Sequence, residues 1–303
     1  MRIHQFSLSL AAALALLPLS PAAQADVSWP AVAQALGKSG TELPGGVYRV
    51  GLARTDLHVT MDGVPLLPAF ALGSWLAFKT TGSQAMVMGD LVLTGTEVAS
   101  VMSRLAAGGI EVTALHNHLL RGSPMTFYMH VLGHGDPVKL AEALHAGLIE
   151  RGTPLGVPPI GAAPVAAAAP PTIELDTAMI DRTLGAKGKI NGGVYQVSLP
   201  RAETVVDGGM DVPASMGSAE AINFQPSGGG KAAITGDFVL TAAEVNPVLR
   251  VLREHGIEIT ALHNHMLDDQ PRLFFMHFWA NDDTVKLATG LRAALDKINL
   301  APR

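Results

Sequence analysis

No cysteine occurs in the 303-residue chain. That excludes disulfides, thiolate metal sites, a cysteine nucleophile and lipid attachment through an N-terminal cysteine. It does not argue against export, because a chain of this length buries adequate cores without crosslinks. Charge is also scarce: charged residues make up 16%, the net charge is −5 and no basic tract occurs, so nucleic acid is not an expected partner. No Walker loop and no GxSxG elbow occur, and Ser227-Gly228-Gly229-Gly230 lacks the strand-to-helix context of a phosphate cradle. Aromatic residues are only 5%, and Trp75, Phe78 and Trp279 are expected in the core rather than as stacking platforms.

Long apolar runs are missing except at the start. The stretch from Phe6 to Leu19 is shorter than the roughly 20 apolar residues of a membrane span. With Arg2 before it and Ala23-Gln24-Ala25 after it, residues 1–25 are expected to be an export signal. The mature chain is then expected to be soluble, periplasmic or secreted, with no transmembrane segment.

What the chain does have is histidine in a repeated frame. Ala114-Leu115-His116-Asn117-His118 returns as Ala261-Leu262-His263-Asn264-His265, and each copy is followed by a proline (Pro124, Pro271) and a Met-His step (Met129-His130, Met276-His277). The offset is 147 residues for all three histidines, and six of the chain's 11 histidines fall in the pattern. The same offset relates Gly45-Gly46-Val47-Tyr48 to Gly192-Gly193-Val194-Tyr195, Arg54 to Arg201, Gly89-Asp90 to Gly236-Asp237, and Val138-Lys139-Leu140-Ala141 to Val285-Lys286-Leu287-Ala288. A period this long is a tandem domain duplication rather than a solenoid. The expected division is a first repeat domain at 27–150, a Pro/Ala-rich linker at 151–171 and a second repeat domain at 172–303. The stretches Asp62 to Ser83 and Gly208 to Gly230 align only with gaps and are expected to hold differing loops or edge strands.

Each repeat reads as strand, strand, helix, strand, strand, helix. Strands are expected over Val47 to Thr60, Ala85 to Leu93, 110–119 and 126–132, with helices over Gly95 to Ala107 and 136–149. The second copy gives Val194 to Val206, Ala232 to Leu240, 257–266 and 273–279, with helices over Ala242 to His255 and 283–298. Thr94 with Glu97, and Thr241 with Glu244, have capping-box spacing. The fold class is therefore α+β, two tandem homologous domains, each an antiparallel sheet packed by two helices.

Strand alternation places His116 and His118 on one face, continuing the apolar face of Ile110, Val112 and Ala114. A return centred on Pro124 sets His130 opposite His118, and one centred on Pro271 sets His277 opposite His265, with directly opposed Cβ atoms ~5 Å apart. Burial on such a face favours neutral imidazole, the metal-binding form. Three nitrogen donors with a water or carboxylate suit zinc. The thioethers of Met129 and Met276 alternate away, which disfavours Cu(I). The metal ligands expected are thus His116, His118, His130, His263, His265 and His277. Asp56 and Glu203, each two residues after an arginine, are the carboxylates considered as catalytic base, beside a reading as ion pairs. Asp90 and Asp237, each after a glycine at a strand entrance, are expected to serve a turn rather than catalysis, and Glu97 and Glu244 to cap helices. His58, His134 and His145 lack a partner in the other copy and are expected at the surface, with His58 a possible extra ligand.

With the ALHNH segment, the proline turn and the later Met-His, the chain resembles the LppY/LpqO-type proteins, built from a domain of unknown function (DUF1259). The resemblance covers nearly the whole mature chain and implies a bacterial exported protein with two such domains. Some members resemble lipoproteins, a pattern this cysteine-free chain departs from. The resemblance brings no activity. Three readings follow from the residues: a protein that binds divalent metal, zinc favoured, or a small ligand; a metal-dependent hydrolase; and a cell-envelope structural or interaction module in which the histidines only bond one another.

Overall fold

A computed structural model of the chain describes residues 27–152, 155 and 172–302. The expected export signal and nearly all of the expected linker lie outside the described residues. Repeat one begins with α1 (Trp29–Leu36), β1 (Thr41–Leu43) and β2 (Val47–Ala53), then a hairpin of β3 (Thr60–Met61) and β4 (Val64–Pro65) leading into α2 (Pro68–Ala71). It continues with β5 (Gly73–Thr81), β6 (Gln84–Thr94), α3 (Val98–Ala107), β7 (Glu111–His116), β8 (Thr126–Gly135) and α4 (Pro137–Leu148). Repeat two follows the same order: α5 (Thr177–Leu184), β9 (Lys189–Asn191), β10 (Val194–Pro200), and a hairpin of β11 (Val206–Asp207) and β12 (Met210–Asp211) leading into a short 3-10 turn (Ala214–Met216). It ends with β13 (Ala219–Gly228), β14 (Lys231–Thr241), α6 (Ala242–Glu254), β15 (Glu258–His263), β16 (Leu273–Asp283) and α7 (Thr284–Leu295).

Each repeat forms one six-stranded antiparallel sheet, ordered β1-β2-β5-β6-β8-β7 and, in mirror listing, β15-β16-β14-β13-β10-β9. This is the α+β class expected, with a third helix, α1 or α5, added at the start of each repeat. The gapped stretches do not supply edge strands: β5 and β13 are interior, each hydrogen-bonded on both sides. The loops within these stretches do differ, leading into α2 in one repeat and into a 3-10 turn in the other. The capping box forms at Thr241 and Glu244. In repeat one Gly95 and Thr96 replace the two helix-favouring alanines, and α3 starts only at Val98, although Glu97 still accepts from the Thr94 amide at 2.7 Å.

The helices cover one face of each sheet. Val50, Leu76, Phe78, Val87, Leu91, Met129 and Val131 pack under α1, α3 and α4, and Val197, Ile222, Phe224, Ile234, Phe238, Met276 and Phe278 under α5, α6 and α7. The other face of each sheet meets the opposite repeat. One interdomain core joins Val47, Ala77, Met86, Met88 and Leu132 to Val212, Met216, Val239, Leu273 and Phe275. A second joins Met61, Phe70, Leu72 and Tyr128 to Val194, Ala233 and Trp279.

The segments between β2 and β5 and between β10 and β13 act as arms across the neighbour. Gln225 accepts from the Leu67 amide at 2.9 Å and donates to Pro65 O at 2.8 Å, while Asn223 and Gln196 donate to Phe70 O and Ala69 O at 3.1 and 3.0 Å. Trp279 Nε1 donates to Asp62 at the arm tip at 2.9 Å. Reciprocally, Arg49 donates to Ser215 O, and Lys79 to Asp211 O at 3.0 Å. The exchange satisfies backbone groups of both arms, which have no sheet partners of their own over α2 and the 3-10 turn.

Candidate metal centre

A bulge, not plain alternation, aims the histidines. Val112 pairs with Val131 and Ala114 with His130, so one residue, Thr113, is extra on β7; Thr260 is extra on β15 in the same way. An extra residue reverses the parity of everything beyond it. Ile110 and Val112 therefore pack toward the helices, whereas Ala114 and His116 share the interdomain face with His130. The expected continuity of the histidines with Ile110 and Val112 is corrected accordingly. The register differs as well: His130 stands opposite Ala114, and His116 opposite Tyr128. β7 ends at His116, and His118 reaches the cluster from the following turn, its ring stacked on Tyr128 at 3.4 Å between centroids. His265 stacks on Phe275 at the same distance. Thr113 serves the interface directly, donating from Oγ1 to His265 O at 2.6 Å.

All six histidines come together between the repeats. His116 stacks on His263 at 3.5 Å, His118 on His277 at 3.5 Å and His130 on His265 at 3.8 Å. Under the 147-residue offset the first pair maps onto itself and the other two exchange, so the cluster has a pseudo-two-fold axis through the His116–His263 pair. One donor atom from each of His116, His118, His130 and His263 lies within 4.8 Å of the others, and the same holds for His263, His265 and His277.

Several features leave these rings able to hold a cation. His277 Nδ1 bonds Gly236 O at 2.8 Å, which leaves Nε2 as the lone-pair nitrogen, and that Nε2 has no partner. His130 bonds Gly89 O in the equivalent way, and its Nε2 is likewise unpartnered. Glycine is required there by space: a Cβ at Gly236 would lie 2.0 Å from Ala221 O, and one at Gly89 2.6 Å from Trp75 O. Both ring nitrogens of His263 and Nε2 of His265 are buried without a hydrogen bond, and His116 and His118 face each other Nε2 to Nε2 at 2.7 Å. Burial pushes the pKa of every one of the six down, to about 4 for His116, with the neighbouring imidazoles adding to the effect at each of the others. The rings are neutral, with lone pairs available.

Two carboxyl groups lie on the face that carries the histidines, both within strands rather than in turns. Asp90 sits mid-strand in β6 opposite His130, and Asp237 mid-strand in β14 opposite His277, both on the interdomain face. Asp237 Oδ2 is 3.3 Å from His265 Nε2 and Oδ1 is 3.7 Å from His277 Nε2. Burial raises Asp90 to about 8, against the opposing pull of Arg49, and raises Asp237 well above the ordinary range, with Asp90 contributing. The signal for them was present in the sequence, as acids identical in both copies within an expected strand.

Asp56 and Glu203 lie in a different arrangement. Asp56 pairs with Arg54 at 2.8 Å and Glu203 with Arg201 at 3.0 Å. Each arginine is 1% exposed and also holds Glu97 or Glu244 and a strand carbonyl, Val92 O or Val239 O. Neither carboxylate is grouped with the histidines. His58 is exposed, and His145 bonds Leu36 O at 2.9 Å.

The cluster opens on one side to an interdomain cleft of about 960 Å³, whose lining includes Asp90, His118, Asp237, His265, His277 and Arg49. Arg49 stacks over Trp75 at 4.1 Å.

The family model described as Domain of Unknown Function (DUF1259) matches residues 30–150 and again 178–297. The chain belongs to this family. It carries two DUF1259 domains in tandem, and the histidine cluster is built from the same strands of both. No curated protein matches the chain in sequence. Among solved structures, a trimeric bacterial microcompartment shell protein, PduB, is 12% identical over 86% of this chain and 91% of its own, at a TM-score of 0.22. EtuB from Clostridium kluyveri is 8% identical over 86% and 90%, at 0.19. Likeness this slight carries no statement about the fold or function of the DUF1259 pair. Among the described residues no helix is long and apolar enough to cross a membrane.

Proposed function

We propose that this chain is an exported metal-binding protein of the LppY/LpqO type whose interdomain cluster holds divalent transition metal, zinc by preference. The observation that carries this reading is the set of neutral, buried imidazole nitrogens aimed at one another with no hydrogen-bond partner. Unsatisfied buried polar atoms are costly. Six histidines bonding only one another, as an interaction module would have them, would leave most of that cost in place. Nitrogen donors with a carboxylate alongside suit zinc and its borderline neighbours. Met129 and Met276, which would favour Cu(I), are buried in the helix-side cores.

The cleft favours a second reading, metal-dependent hydrolysis, because it gives a bound ion an open side. A divalent ion there supplies Lewis acidity and lowers the pKa of bound water. The chain would contribute Arg49 as a fixed cation for an anionic group and the aromatic wall of Trp75, Phe70 and Tyr128. Asp56 and Glu203 fit anchoring of Arg54 and Arg201 better than base catalysis.

Elemental mass spectrometry of natively expressed mature protein tests the metal reading, beside a variant with His116, His118, His263 and His265 changed to Ala. Near-stoichiometric metal, lost in a variant whose circular dichroism is unchanged, is the expected result. A metal-free wild type that also fails to take up zinc, copper or nickel overturns it.

A further inference from the structure

We infer that the cluster is a two-ion centre, each ion held by the three histidines and the mid-strand aspartate of one repeat. His116, His118, His130 and Asp90 form one set, and His263, His265, His277 and Asp237 the other. The inference rests on the metal reading above and adds the number of ions and the carboxylate ligands.

The donor count argues first. Six imidazoles converge, with the Asp237 carboxylate against two of them and Asp90 at the equivalent register position, whereas zinc and related divalent ions take about four to six ligands. One ion would leave buried donors unused. The close groups of nitrogens number two, and they share only His263. A neutral imidazole has one free lone pair and serves one ion. Assigning His263 to its own repeat makes the two sets identical under the duplication.

The carboxylates argue next. Asp237 lies 3.3 and 3.7 Å from the Nε2 atoms of His265 and His277, so this carboxylate already sits among the donors of the second set. Asp90 holds the equivalent register position opposite His130. Oδ1 of each aspartate is buried without a hydrogen-bond partner, as are the Nε2 atoms of His130 and His277. Asp90 and Asp237 also line the same cleft, so both ions would face one open space. Three nitrogens and one oxygen per ion is a borderline donor set, suited to zinc, nickel, iron or manganese and poor for Cu(I).

The test is a count of ions. The full mature chain, stripped with a chelator, is titrated with Zn²⁺, desalted and measured by elemental mass spectrometry. Two ions per chain are expected in the wild type, and one in each half-site variant, His116→Ala with His118→Ala or His263→Ala with His265→Ala. Asp90→Asn and Asp237→Asn preserve shape and carry the test if the histidine variants misfold. Each should weaken one of the two binding steps by on the order of tenfold or more and leave the other. Cu²⁺-loaded wild type should show dipolar coupling by electron paramagnetic resonance, and half-site variants an isolated ion. One ion in the wild type, with every half-site variant losing all metal, overturns the two-ion assignment and keeps the metal reading. No ion under any condition overturns both.

Discussion

Behind Arg54 and behind Arg201 the two repeats solve one polar problem in opposite ways. In both, a buried strand amide needs an acceptor: Val92 N–H finds the Ser74 hydroxyl at 2.8 Å, and Val239 N–H finds the Glu220 carboxyl at 2.7 Å. Ser74 also accepts from the buried Arg151, whereas the equivalent of Arg151 is Ile298. Repeat one thus sets two guanidinium groups beside Asp56 and Glu97. Repeat two sets one guanidinium beside Glu203, Glu244 and Glu220. Burial holds Glu220 well above the ordinary carboxyl range, despite its bond from Val239 and the field of Arg201, and so favours a neutral carboxyl that calls for no second arginine. The framework has diverged by compensation, while the histidines and aspartates of the centre have not changed at all between the repeats. Arg54 and Arg201, with Glu97 and Glu244, are equally unchanged, so the divergence lies in the groups packed around them.

Removing the shared arginine is the severest way to break this comparison. Arg54→Ala or Arg201→Ala removes the buried cation from two partly exposed carboxylates and a strand carbonyl, a loss expected at or below the figure of about 3–5 kcal/mol for a fully buried ion pair. Arg151 remains near Asp56 and Glu97 in the first case, so Arg201→Ala is expected to cost more, read as the lower urea midpoint. Equal losses would show that Arg151 does not compensate.

A smaller effect separates the repeats by pH. Glu220 holds a proton in the folded state that the unfolded chain releases above its ordinary value of 4.5. Its contribution is whole below that pH and shrinks as pH rises toward the folded value, by up to about 1.4 kcal/mol per pH unit. Glu97 and Glu244 run the other way. Burial works to raise them, but hydrogen bonds from Arg54 or Arg201 and from backbone amides prevail and hold them low, so their contribution is lost as pH falls through the folded values. Glu220→Gln should flatten only the high-pH slope, in urea titrations across pH 4 to 8, and an unchanged slope would place the charge elsewhere. Glu220→Ser with Ile298→Arg transplants the first repeat's solution into the second. A favourable coupling of about 1 kcal/mol or more is expected in the double-mutant cycle.

How much of this could be read from the sequence follows the same division. The 147-residue offset exposes the duplication, and the spacing of apolar residues exposes the long strands β6, β8, β14 and β16 because they are buried on both faces. The six clustered histidines are legible as a set. Their convergence is not, since it depends on two sheets meeting through arms that the offset cannot align. The bulges at Thr113 and Thr260 leave no trace in residue type, and a single extra residue is enough to send His116 to the face opposite Ile110. Asp90 and Asp237 were masked by the preceding glycines. Gly89 and Gly236 suggest turns, yet glycine is there because neighbouring strands leave no room for a Cβ and its carbonyl orients a histidine.

The mildest expected effect concerns the cleft, where the symmetry of the donors is broken by their surroundings. Arg49 and Trp75 occupy one end, and their equivalents by offset and register are Gln196 and Ala221. A symmetric cleft over a symmetric centre would accept a ligand in two equal orientations; one cationic, aromatic end removes that degeneracy. Arg49→Gln makes the two ends alike. It should leave ion stoichiometry unchanged and cost about 1 kcal/mol of stability through the lost stacking on Trp75. Inorganic phosphate, followed by tryptophan fluorescence with Trp75→Phe as control, should bind the metal-loaded variant on the order of tenfold more weakly than wild type. Gln196→Arg should restore affinity from the other end. Equal phosphate affinity in wild type and Arg49→Gln would mean that the metal centre alone selects the anion, and that the divergence of Arg49 from Gln196 serves only the contact with Ser215.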